Sequence, residues 1–301
     1  MTGKHYFNRH SRRGSYDLFS SYNYFVPGYS GLLWTVRLFL AGMLLGGIVM
    51  AGLQLCLSTE FATTYGMVII YPLQFIPAML FASVASRRNE GFEPGYAIDS
   101  SNFGGRKGYA MALIVSAMAL AGAFVIEPIS MLLPEMSEVM KAAMEMLLNG
   151  PVWIVLLSVS VFAPFFEEWL CRGIILRGLL TKVKPVWAIV ISAAFFGLIH
   201  GNLWQAIPAF IIGLILGYVY YKTGSLKLTM LMHCVNNTLS VIVSRIPGME
   251  DVEFFAEIMS PWAYVLVVIA FAVVLASGLV IMKSIPHKEG NLGGCDALEQ
   301  L

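Results

Sequence analysis

The sequence predicts an all-α fold: a polytopic membrane protein of about eight transmembrane helices around an intramembrane polar cavity. Three observations predict it. Of 301 residues, 58% are hydrophobic and only 12% charged, about half the charge of an ordinary soluble domain. Apolar segments long enough to cross a bilayer recur along the whole chain, and such segments need roughly 20 residues each. The basic residues gather on alternate connections between them.

Taken in order, residues 1–31 are aromatic, polar and basic, with His5, Arg9, Arg12 and Arg13. They read as a cytoplasmic N-terminal segment. The first apolar run starts near Leu32 and continues to about Leu57, longer than the core of a cleavable signal. Spans are expected at 32–57, 61–85, 108–131, 151–180, 186–203, 204–221, 226–244 and 262–283. Residues 86–107 read as a loop containing Gly, Arg and Asn, and 135–148 as an amphipathic helix lying on the membrane surface. Only Gly201 and Asn202 separate the fifth span from the sixth, and Pro208 falls early in the latter. The organisation expected is therefore four parts. They are the segment 1–31, an N-terminal transmembrane region 32–149, a core 150–245 that carries the chemistry, and a last helix with a cytoplasmic tail, 246–301.

Charge tests this count. Alternating spans with a cytoplasmic N-terminus place 15 of the 19 Lys and Arg residues on inner segments, among them Lys4, Arg87, Arg106, Lys182, Lys184, Lys227, Lys283 and Lys288. Only Lys141 and Arg245 fall on outer connections. That asymmetry is the positive-inside signature, and it puts both termini in the cytoplasm. A net charge of +1 without a basic stripe gives no footprint for nucleic acid. Cys56, Cys171, Cys234 and Cys295 are scattered and form neither a disulfide framework nor a CxxC site.

The fourth span carries Glu167, Glu168 and Arg172. Each ionisable group costs about 2.5–3.5 kcal/mol near a helix centre on insertion scales, so each needs a compensating arrangement. Glu168 and Arg172, four apart with the acid first, can form a structural ion pair. Glu167 points about 100° away and has no partner on its own helix. His200 ends the fifth span; alone, it reads equally well as a hydrogen-bonded interior residue. His233 and Asn237 share one face of the seventh span, and Asn236 points elsewhere, towards an interhelical hydrogen bond. Counted from the basic ends of their helices, Glu167 and His200 lie roughly 20 Å deep and Asn237 roughly 16 Å. One water-filled cavity, at the bilayer centre or on its cytoplasmic side, is the economical expectation, and a functional site the default reading.

These residues resemble the motifs of the CPBP intramembrane proteases, the CAAX-processing and bacteriocin-processing group also called Abi. The pattern EExxxR appears as Glu167-Glu168-xxx-Arg172, FxxxH as Phe196-xxx-His200, and HxxxN as His233-xxx-Asn237. Gly213 to Gly217 and Thr223-Gly224-Ser225-Leu226 are also similar to the family, and the likeness covers about residues 150–245. It implies an intramembrane endopeptidase acting on a peptide or protein substrate in or at the bilayer. Cleavage of prenylated proteins is the eukaryotic role, and a bacterial source implies another membrane-associated peptide.

Peptide hydrolysis needs an activated water, oxyanion donors and a proton for the leaving amine. Glu167 suits the base, His200 a second hold on the water, and His233 with Asn237 the oxyanion donors; Glu168 and Arg172 support the helix. This reading needs no metal. The alternative is zinc held by Glu167, His200 and His233 with Glu168 as base, since two His and a carboxylate form a known catalytic set. Two other classes stay open: a non-proteolytic binding or immunity protein on the same fold, and a transporter. The transporter predicts paired half-helices in a repeated arrangement, and no such repeat is visible.

Overall fold

The structure, a computed structural model, describes residues 18–90, 92, 97–148, 150–249 and 252–286. The expectations for Lys4, His5, Arg9, Arg12, Arg13, Lys288 and Cys295 lie outside the described residues. Within them the fold is helical, with no strand. The nine principal helices are α1 Tyr29–Cys56, α2 Thr59–Asn89, α3 Gly108–Ser130, α4 Glu138–Leu148, α5 Val152–Leu180, α6 Pro185–Leu198, α7 Leu203–Thr223, α8 Leu226–Val243 and α9 Pro261–Lys283. Seven are long and apolar enough to cross a membrane, and α6 is a shorter apolar helix. With α6 counted, these are the eight expected spans. α4 is the expected amphipathic helix, with no buried residue of its own.

Local chemistry sets the helix boundaries. Ser58 ends the two-residue turn after α1 and caps α2, its hydroxyl accepting from the Phe61 N–H at 3.0 Å. Asn202 and Ser225 cap α7 and α8 in the same way, each satisfying a backbone donor that the first helical turn leaves open. Gly224 closes α7 with φ +62°, a left-handed position that favours glycine. α2 runs to Asn89 and so takes in residues expected to begin a loop.

α5 is the axis of the molecule. In its most apolar stretch 61% of residues are buried, against 17% in α1 and in α9. One side packs with α1, α2 and α6 through Phe39, Phe75, Trp169 and Ala188. The other meets α3, α7, α8 and α9 through Cys171, Met118, Leu216, Met232 and Leu275. Two parts of α5, Leu156–Phe162 and Trp169–Leu176, are wound as π-helix. Such wide turns re-aim side chains and gather at functional sites.

Hydrogen bonds define two faces of the bundle. On one, Arg106 donates to Ser284 at 2.8 Å, Asn102 to the Pro286 carbonyl at 2.8 Å, and Lys227 pairs with Asp99 at 3.0 Å. On the other, the Trp204 indole donates to the Pro134 carbonyl at 2.7 Å, Lys141 pairs with Glu253 at 3.1 Å, and Arg245 donates to the Leu148 and Gly150 carbonyls. By the residues they carry, these are a basic face and an acidic face.

One finding adds to the sequence reading: residues 18–28 pack against the bundle. Phe19 and Phe25 are buried in the core on the basic face, and the buried Arg177 donates to the Phe25 carbonyl at 2.6 Å. Burial pushes the Tyr22 hydroxyl above its ordinary value. α6 departs from the sequence reading: it ends at Leu198, earlier than the span expected to run to 203. A Cβ on Gly197 would lie 2.6 Å from the Ala206 carbonyl oxygen. α6 and α7 therefore meet at this glycine, and the chain turns through Gly201 at φ +71°.

Candidate active site

The site starts from a buried charge. Glu168 and Arg172 are fully buried, with Arg172 Nη1 2.7 Å from Glu168 Oε1. Arg172 Nη2 donates to the Gly213 carbonyl at 3.0 Å, and its guanidinium lies 4.5 Å from the centre of the Phe196 ring. One cation thus ties α5 to α7 and α6. The geometry suits arginine's planar fork better than a lysine point charge.

His233, on α8, also turns to this pair. Its Nδ1 lies 3.1 Å from Glu168 Oε1. An ionised carboxylate only accepts, so Nδ1 carries the proton and Nε2 faces the other way. Nε2 lies 3.9 Å from Glu167 Oε2, too far for a direct hydrogen bond. Glu167 Oε1 accepts from the Tyr71 hydroxyl of α2, while Oε2 is buried and has no hydrogen-bond partner. One oxygen of Glu167 is held and the other is open.

His200 lies in the turn after α6. Its Nδ1 is 2.8 Å from the Phe196 carbonyl, so Nδ1–H donates and Nε2 keeps a lone pair. Phe196 packs edge-on against His200 and His233, at 5.2 and 5.4 Å between ring centres. It therefore spaces the two imidazoles while covering Arg172. Asn237 donates from Nδ2 to the Val159 carbonyl at 2.8 Å, in the first π-wound part of α5. A primary amide has a second hydrogen to give. Asn236, expected to bridge helices, instead donates to Asn237 Oδ1 at 3.3 Å.

Glu167, His200, His233 and Asn237 line one cavity of about 320 Å³, together with Tyr71 and Gln205. It adjoins two others of about 350 and 610 Å³, which share His200, Gln205 and Asn237 with it and reach Glu253 and Phe254. The opening is therefore on the acidic face. α6 stops short, which leaves His200 in a turn at its acidic-face end. Among the described residues no three His, Cys, Asp or Glu side chains converge as a metal site. Tyr71 was missed from sequence, as were Gln205 and Val159. The one available signal was a tyrosine inside an apolar run, whose hydroxyl needs a partner.

Fold and site together define a polytopic integral membrane protein whose second half is a CAAX-protease-like core around an intramembrane cavity. The comparisons agree. Residues 149–239 match the family described as type II CAAX prenyl endopeptidase Rce1-like. Over 111 residues the chain is 27% identical to "Putative membrane peptidase YdiL" of Bacillus subtilis (strain 168), a match spanning 37% of this chain and 45% of that protein. No solved structure matches. The three motifs lie inside the matched segment, so this part of the chain is similar to the CPBP proteases at the residues that carry the likeness. Tyr71, which grips Glu167, comes from outside it.

Proposed function

We propose that the protein is an intramembrane endopeptidase of the CAAX-protease type, cleaving a membrane-associated peptide or protein with a water activated by Glu167. The observation that carries this reading is the open Oε2 of Glu167. It is buried without a partner and faces His233 Nε2 across 3.9 Å in a cavity also lined by His200 and Asn237. Polar atoms at such a separation are readily bridged by water.

In this scheme Oε2 takes a proton from the water, whose other contact is the lone pair of His200 Nε2. The hydroxide attacks the scissile carbonyl carbon. The oxyanion receives the second N–H of Asn237 and, with His233 as imidazolium, its Nε2–H. Glu167 then returns its proton to the amide nitrogen as the C–N bond breaks. Glu168, neutralised by Arg172, positions His233. We read the mechanism as metal-free. The alternative zinc set of Glu167, His200 and His233 is less well supported, because Asn237, which lines the same cavity, would be a poor zinc ligand and is a good oxyanion donor. The charge split further supports cytoplasmic placement of the basic face and of both termini.

The test is peptide cleavage by purified protein, with metal content measured on the same sample. Glu167→Gln is expected to be inactive while still binding substrate, since its shape is nearly unchanged. Asn237→Ala removes one oxyanion donor and should lose roughly 10²–10³ in turnover while keeping weak activity. One zinc per chain, lost together with activity in His233→Ala, would overturn the metal-free scheme. A binding or immunity protein would keep its cellular phenotype in Glu167→Gln.

A further inference from the structure

We infer that the site is loaded from the extracytoplasmic face, beneath α4, and that it takes an apolar peptide segment flanked by basic residues. This rests on the protease reading for the chemistry and on separate observations for the route. The three cavities around the site are lined by residues from the helices and from the acidic-face connections 131–151, 199–202 and 244–260. Among the described residues, none that lines them comes from the connections 90–107, 181–184 or 224–225 of the basic face.

The opposite approach to Glu167 is filled. Phe19 stacks on Phe165 at 5.9 Å and Tyr22 packs edge-on against Trp169 at 5.2 Å. Those rings belong to the segment that Arg177 holds by the Phe25 carbonyl. A substrate coming from the basic face would have to displace this plug, whereas on the acidic face the three cavities adjoin, sharing His200, Gln205 and Asn237.

The lining selects the substrate. The largest cavity, about 610 Å³, is walled by Met131, Met136, Met144 and Leu147. Unbranched methionines adapt to varied apolar side chains. Glu135 and Glu253 line the same cavity, and Glu127 lines its neighbour. The acidic-face connections and helix ends hold nine Asp and Glu residues against Lys141 and Arg245. A cationic flank is attracted to such a rim, and an acidic one is repelled.

Two measurements test the route and the substrate separately from catalysis. In intact cells carrying a background with Cys56, Cys171, Cys234 and Cys295 all replaced by Ala, Ser240→Cys, at the cavity mouth, is exposed to a membrane-impermeant maleimide. Labelling from outside is expected. Labelling only in inverted vesicles would overturn the route and leave the protease reading standing. Binding is then measured on the Glu167→Gln protein in proteoliposomes, with two synthetic peptides sharing one Leu-rich core, flanked by Lys or by Glu. The Lys-flanked peptide is expected to bind at least about tenfold more tightly, and Glu135→Gln with Glu253→Gln should shrink that ratio towards one. Equal binding of the two peptides, or a ratio unchanged by the Gln variants, would overturn the substrate assignment. If wild-type protein cleaves neither peptide while labelling and binding behave as stated, it is the protease reading that fails.

Discussion

At the scale of single residues, the site depends on a division of labour between neighbouring carboxylates. Glu168 gives Oε1 to Arg172 and His233 and lies outside the cavity, its Oε2 buried without a hydrogen-bond partner, whereas Glu167 lines the cavity with one oxygen open because Tyr71 holds the other. Tyr71→Phe deletes that hold and little else. It is expected to lower kcat about tenfold to a hundredfold, the usual cost of a misplaced reacting group, with thermal unfolding unchanged. Full activity in the variant would show that Glu167 is positioned without it. Arg172→Ala should behave differently, because it strands a buried carboxylate. Such a loss costs about 3–5 kcal/mol, so folded yield and unfolding temperature should fall along with activity. An inactive Ala variant of unchanged stability would make Arg172 a direct participant. The motif residues were legible because charge inside an apolar helix is expensive and therefore conspicuous. Tyr71 was not, because its partner is 96 residues away and nothing in an apolar run says which distant oxygen a hydroxyl will meet.

At the scale of elements, apolar periodicity located every span but not the end of α6. Residues Phe195 to Ile199 stay apolar past the last helical turn, so composition cannot mark the stop. What marks it is contact: α6 and α7 close on Gly197, where a side chain would meet the Ala206 carbonyl at 2.6 Å. The π-wound parts of α5 were equally invisible, since their sequence is ordinary for a buried helix. Gly197→Ala is expected to force the two helices apart, at the 1–3 kcal/mol typical of overpacking (about 1.4 kcal/mol being tenfold in an equilibrium). His200 lies three residues further on, so activity should fall by more than the loss of folded protein accounts for. Measuring specific activity per folded molecule separates the two effects. A stable, fully active Gly197→Ala protein would show that this contact does not position His200.

At the scale of the whole molecule, the orientation of the site depends on one short helix. α6 has 14 residues, about 21 Å at 1.5 Å per residue, against a hydrocarbon thickness of roughly 30 Å. If it merely dipped into the membrane, every later connection would change sides, and Lys222 and Lys227 would leave the basic set. The structure has α6 joining both faces. Before it, a Cβ on Gly28, in the basic-face segment, would lie 3.7 Å from the Lys182 side chain. After it, Trp204 donates to the Pro134 carbonyl on the acidic face. Crossing is possible for so short a helix because its partner α7 and the polar cavity cover one side of its acidic-face end, while Leu198 on the other side stays exposed. Single cysteines, in a background with Cys56, Cys171, Cys234 and Cys295 all replaced by Ala, check this. Leu203→Cys and Ile258→Cys should react with an impermeant reagent from outside, whereas Lys184→Cys and Lys227→Cys should react only after permeabilisation. Should positions 184 and 203 label from the same side, α6 does not cross, and the assignment of the cavity to the extracytoplasmic face fails with it.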